Sequence, residues 1–279
     1  MSVDAAFLVF GGPYSNLQAL DALLAEGERL GIPPQRMICT GDVVAYGADP
    51  VCVTERMMGA GIPTIMGNCE ENLAAGADDC GCGFAEGTTC DLLARGWYAH
   101  ANRHLGSRHR SWMAGLPRRL VLEIGGRRLA VVHGGAMSIN RFLFASDAAG
   151  VFADEIAATG CHGVIAGHCG LPFTRVVGDA LWHNAGAIGM PANDGTPRVW
   201  FSLLTPVDGG LRIERRALSY DHGSAAAAMR AAGLAEGYAS ALETGLWPSL
   251  DVLPAPEREA TGTALNVAPV TWSIPGRQK

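Results

Sequence analysis

Four short apolar runs in this chain each stop at a glycine paired with a residue able to bind a metal ion. Arg36-Met37-Ile38-Cys39-Thr40 runs into Gly41-Asp42, and Pro63-Thr64-Ile65-Met66 into Gly67-Asn68. Arg128-Leu129-Ala130-Val131-Val132 runs into His133-Gly134, and Gly163-Val164-Ile165-Ala166 into Gly167-His168. Runs of this length with Ile and Val, bounded by glycine, read as buried strands. The polar residue then sits just beyond the strand's carboxyl end, where open α/β sheets place their ligands. Glycine beside it lets backbone approach an ion or an anionic group closely. Together the four stops offer one carboxylate, one amide oxygen and two imidazoles, which is the donor set of a divalent-metal site.

The rest of the chain predicts a layered α/β fold around those stops. Ala5 to Phe10 reads as a strand and Asn16 to Leu30 as a helix with Leu17, Leu20, Leu23 and Leu24 on one side, ended by Gly31. Met37 to Thr40 is a second strand, Val51 to Met58 a helix and Ile62 to Met66 a third strand. Such alternation implies a parallel sheet with covering helices. Gly125-Gly126 between Leu120–Ile124 and Arg128–Val132 signals a hairpin. A helix near 148–158 and strands near 164–166, 175–177, 181–183 and 199–204 complete a mixed sheet or two packed sheets. The expected domain covers 1–218, with a cysteine-rich insert at about 70–90. A helical extension follows at 219–252, then an extended or loose tail over 253–279.

The 279 residues are 48% hydrophobic, enough for a sizeable core, and no apolar stretch approaches the length of a membrane span. Asp4 precedes a very short apolar run, without the basic start of a signal peptide, so a cytoplasmic protein is expected. The net charge of −6 gives no general attraction to nucleic acid, and Lys279 is the sole lysine among arginines. The eight cysteines do not form a secreted framework. Five of them, Cys69, Cys80, Cys82, Cys90 and Cys169, fall in or near loops, which in a reducing compartment favours metal or redox chemistry.

The ordered set GD, GN, HG, GH resembles the calcineurin-like metallophosphoesterase superfamily. Gly41-Asp42-Val43-Val44-Ala45-Tyr46-Gly47-Ala48-Asp49-Pro50 is similar to the family's second motif. Gly67-Asn68-Cys69-Glu70 is similar to the third, in the cysteine form of the small bacterial phosphodiesterase branch. Gly167-His168 through Arg175 is similar to the last, and Asn184 to Gly189 to the strand end that follows it. The resemblance spans roughly Ala5 to Leu204. It implies a sandwich of two mixed sheets flanked by helices, and hydrolysis of a small-molecule or nucleotide phosphate ester.

The family builds two adjacent metal sites, and this chain departs from the pattern at one. Gly12 stands where the resemblance expects an Asp, Tyr14 where it expects a His, and Gly170 where it expects a second His. All three belong to the same ion. The other ion keeps Asp42, Asn68, His133 and His168, a set suited to Zn, Fe or Mn, so one ion is expected rather than two. Tyr14, Ser15 and Asn16 then face the substrate where the lost ion stood, with Arg175 reaching its anion. Cys69 takes a place where relatives carry a catalytic His. Cys80, Cys82, Cys90 and Cys169 are the residues that would replace lost ligands by thiolates. Two alternatives stay open: a metalloenzyme using one ion plus thiols for other chemistry, or a silent metal-binding descendant.

Overall fold

The strand Phe7–Phe10 (β2) shows how the layers arise. Phe7 and Val9 point into one core and Leu8 and Phe10 into another, so all four are buried. Side chains alternate across a strand, so a run apolar at every position needs packing on both faces. The computed structural model describes residues 2–3 and 5–273; Met1, Asp4 and 274–279 lie outside the described residues.

Two mixed sheets provide the frame. The first orders β11 (Val270–Ser273), β10 (Gly210–Leu218), β9 (Val199–Val207), β2 and β3 (Met37–Cys39). Within it β2 and β3 are parallel and the remaining neighbours antiparallel. The second orders β1 (Ser2–Val3), β4 (Leu120–Ile124), β5 (Arg127–Val131), β6 (Gly163–Ala166), β8 (Ala180–Ala185) and β7 (Pro172–Val177). Here β5, β6 and β8 run parallel. Gly125 and Gly126, at φ 55° and 71°, make the two-residue turn from β4 to β5.

Phe7, Val9, Ile38, Leu129, Val131, Ile165, Leu204 and Ile213 fill the space between the sheets. Outside the first sheet lie α1 (Leu17–Arg29), α2 (Pro50–Ala60), α7 (His222–Ala231) and α8 (Glu236–Thr244), which bury Leu20, Leu23, Val53, Met229 and Leu242 in one core. Outside the second lies α6 (Ala149–Thr159), with Phe152 and Ile156 against Trp182 and Val164. Helices α3 (Asn68–Ala75), α4 (Thr89–His104) and α5 (Ser107–Ala114) close the end near the site. Among the described residues no helix is long and apolar enough to cross a membrane.

Three expectations change. The strand over Ile62–Met66 is a single parallel bridge, Cys39 to Thr64, because Met66 N–H turns away to the Pro117 carbonyl at 2.8 Å. The stretch 70–90 is not all insert, since α3 occupies its start. As far as Ser273 the tail is tied down: α9 (Ala255–Glu259) precedes β11, which pairs with β10 and buries Trp272. Trp272 is the one fully buried side chain of that strand, and a lone aromatic among Thr and Ser gives no periodic signal.

Candidate metal centre

The parallel strands of both sheets deliver their carboxyl ends to one edge. Asp42 follows β3, His133 follows β5, His168 follows β6, and Asn68 opens α3. Asp42 and His168 have φ of 54° and 60°, a left-handed backbone that non-glycine residues adopt at a cost and only where neighbours enforce it. For Asp42 the enforcement is visible. Tyr14 N–H donates to its carbonyl at 3.3 Å, and its own N–H donates to Glu70 Oε2 at 2.8 Å. The glycines beside the ligands are steric requirements: a Cβ on Gly67 would lie 2.2 Å from Asp42 Oδ1, and one on Gly41 2.7 Å from Gly67 N.

His133 is the hub. Its Nε2 lies 3.1 Å from Asn68 Oδ1, 3.1 Å from His168 Nδ1 and 3.2 Å from Asp42 Oδ2. Its Nδ1 lies 2.6 Å from the Thr40 carbonyl, which can only accept, so Nδ1 carries a proton, and in the neutral ring Nε2 turns its lone pair inward. Asn68 is oriented the same way: its Nδ2 donates to the Cys80 carbonyl at 2.9 Å, leaving Oδ1 to the centre. Four acceptor atoms on four almost fully enclosed side chains thus converge. Acceptors alone repel, and a cation among them removes the conflict.

The spacing fits such an ion. Tetrahedral bonds of about 2.0–2.1 Å set ligand atoms about 3.3–3.4 Å apart, close to the 3.1–3.2 Å separations around His133 Nε2. Burial penalises charge on Asp42, but without an ion a proton on His133 Nε2 takes the cation's place and outweighs it, lowering the carboxyl pKa. Burial likewise opposes charge on His133, and Asp42 reverses it, raising the imidazole pKa. Burial, helped by His133, pushes His168 down to about 3, so its ring is neutral and its nitrogen free to bind.

Glu70, which follows Asn68 in its motif, has a role that the motif alone does not name. It is fully buried and accepts from Asp42 N–H at 2.8 Å, Gly67 N–H at 3.0 Å and Val44 N–H at 3.2 Å. One carboxylate therefore ties the two ligand loops together. The signal was present: Gly67 with Glu70 three residues on is the spacing of a capping box. Glu155 does the same for the loop after His133, accepting from Ala136 and Met137 N–H and pairing with Arg141 at 2.6 Å.

The remaining expected residues separate into two groups. Tyr14 lies at the centre's edge and lines a cleft together with His168. Its ring covers Gly12, where a Cβ would fall 2.1 Å from Tyr14 Cε1, and a Cβ on Gly170 would lie 4.0 Å from its hydroxyl. The phenol thus fills the space between the two glycines that replace expected ligands. Asn16, by contrast, is consumed by its own backbone. Its Oδ1 caps α1 at Ala19 N–H, and its Nδ2 donates to the Gly189 carbonyl at 3.1 Å. Arg175 is also away from the cleft, donating to the Ala145 and Asp147 carbonyls and lying over the Phe152 ring.

The thiols do not assemble as ligands. Cys80 and Cys82 are joined to each other as a disulfide, so neither offers a thiolate. Cys90 and Cys169 line the cleft wall rather than the centre, and burial pushes Cys169 up to about 12. Cys69 is buried beside Asn68, and burial followed by Asp42 raises its thiol well above the usual range. What reaches the centre is its backbone N–H, 3.2 Å from Asp42 Oδ1. Among the described residues, the cluster of His, Cys, Asp and Glu able to hold an ion is Asp42, His133 and His168, and no cysteine joins it. His183 is bound to Thr174 across the β7–β8 pair at 3.0 Å and is no ligand.

This edge-of-sheet centre in a two-sheet sandwich defines a class. The chain belongs to the calcineurin-like phosphoesterase superfamily, whose model matches residues 15–205. Among solved structures, it is similar to a metallophosphoesterase from Sphaerobacter thermophilus, at 22% identity and a TM-score of 0.67 over 87% of this chain and 99% of that one. It is also similar to a hypothetical protein from Pyrococcus horikoshii OT3, at 17% identity and a TM-score of 0.73 over 87% and 99%. At such identities the likeness is one of fold. No curated protein matches the chain.

Proposed function

We propose that the chain hydrolyses a phosphate ester of a small molecule or nucleotide, at a single divalent ion held by Asp42, Asn68, His133 and His168. The observation that carries this reading is the convergence of four acceptor atoms around His133 Nε2, at the mouth of a cleft, in a phosphoesterase fold. When bound, Zn, Fe or Mn there supplies Lewis-acid polarisation of a phosphoryl oxygen and a lowered water pKa.

The protein's own groups bind and orient the ester. Asp42 is the one anionic ligand of the four, so a loaded centre keeps positive charge and draws an anion. Tyr14 is kept protonated, because burial and then the Asp42 charge raise its pKa well above the usual phenol value. Its hydroxyl therefore serves as a hydrogen-bond donor. From its place between Gly12 and Gly170 it hydrogen-bonds a non-bridging phosphoryl oxygen, standing where a second cation would otherwise neutralise charge. Donors aimed at developing charge in a water-poor site are worth more than in solution.

Tyr14→Phe tests this role. It keeps the ring and its packing and removes the donor, so kcat for a chromogenic phosphodiester falls about 100-fold while metal content per chain is unchanged. Undiminished kcat would take Tyr14 out of the reaction.

A further inference from the structure

A cleft opens on His168 and Tyr14, and no Asp, Glu, Lys or Arg lines it. Its walls are aromatic. Phe142 lies over the His168 ring at 4.2 Å between centroids, and Tyr238 packs on Tyr46 at 4.8 Å. Trp247 is set in place by Nε1–H donating to the Pro191 carbonyl at 2.7 Å and by its N–H to Asn193 Oδ1 at 2.9 Å.

The source of that wall matters. The family match ends at residue 205, whereas Tyr238, Trp247, Ser249 and Val252 come from the segment after it. A frame shared across the family is therefore completed, next to its candidate metal centre, by a wall from outside the matched segment. The wall has no charge to meet a second phosphate or an acid, and its flat faces suit a flat partner.

We infer that this cleft binds an uncharged aromatic ring carried on the phosphate ester, seating the ring against Trp247 and Phe142 while the phosphoryl group lies at the centre. This rests on the phosphoesterase reading for turnover, but the ring's recognition is measurable without it. A nucleobase and a simple aryl group share the required chemistry.

The test uses three p-nitrophenyl phosphodiesters with a common leaving group, whose second ester is methyl, phenyl or thymidine 5′. Each kcat/KM is divided by the uncatalysed rate of that compound. The phenyl or thymidine ester then exceeds the methyl ester at least about 10-fold, and Trp247→Ala brings the ratio close to one. Ser249→Trp, which fills the cleft from its half-buried rim, lowers the same ratio and covers the case in which Trp247→Ala does not fold. A larger gain for thymidine identifies a nucleobase, and an equal or larger gain for phenyl an aryl group. Because each ester also carries the nitrophenyl ring, equal corrected values with turnover intact overturn the inference when phenylphosphonate also binds zinc-loaded protein no tighter than methylphosphonate, and they support it when phenylphosphonate binds tighter; the phosphoesterase reading stands either way. Should neither these nor p-nitrophenyl phosphate be hydrolysed, that reading falls instead. The cleft is then judged by calorimetry with zinc-loaded protein. Phenylphosphonate binding at least about 10-fold tighter than methylphosphonate supports the inference, and equal binding overturns it.

Discussion

His133→Ala yields protein that carries no ion at the centre and turns over a chromogenic phosphodiester more than about 1,000-fold more slowly, since loss of a residue merely supporting a ligand already costs about 10–100-fold. His133 has this weight because its Nε2 touches all three other ligands at 3.1–3.2 Å. Its removal also leaves the Thr40 carbonyl without its 2.6 Å partner and Asp42 without its 3.2 Å contact to the ring. The centre thus loses an imidazole together with a contact that orients its one anionic ligand. The loss is therefore larger than one ligand's share. Metal per chain after gel filtration, steady-state turnover and far-ultraviolet circular dichroism check it together. Turnover within 10-fold of the parent, in folded protein, would contradict the assignment.

Glu70→Ala acts on stability and metal affinity together, although Glu70 contacts no ion. Three buried backbone N–H groups, at Asp42, Val44 and Gly67, lose their acceptor at once. Each such orphan costs about 1–3 kcal/mol, so unfolding free energy drops by about 3 kcal/mol or more. The same bonds hold Asp42 in its left-handed backbone, so ion affinity weakens by about 10–100-fold. Glu70→Gln is milder, because the amide oxygen still accepts from Asp42 and Gly67 while its NH₂ confronts Val44 N–H. Denaturant unfolding of metal-free protein separates the two effects from each other. Equal stability of Glu70→Ala and parent would show that the carboxylate does not clamp the loops.

Much of the frame was legible because strands buried on both faces are continuous apolar runs, and glycine marks where they end. The residues at those ends, Asp42, Asn68, His133 and His168, are brought together by topology alone: parallel strands of both sheets finish at one edge. Asn16 and Arg175 read differently in sequence and structure for a common reason. A polar side chain in a loop is equally able to serve substrate or its own backbone, and here the backbone claims both. Glu70 was hidden by the opposite effect, a charged residue buried by hydrogen bonds that only the closed loops create. The aromatic wall was hidden because its members from beyond the family match are isolated, Tyr238 on α8 and Trp247 and Val252 after it, with no period joining them to the centre. The tail escaped for want of alternation, its strand anchored by Trp272 alone.

Elemental analysis combined with anomalous scattering from crystals grown with zinc, iron and manganese tests the mononuclear centre most directly. The expected result is one ion per chain, bonded by Asp42, Asn68, His133 and His168, with the Tyr14 ring beside it. Two ions, or an ion held by thiolates, would contradict the account, as would an empty centre in the presence of all three metals.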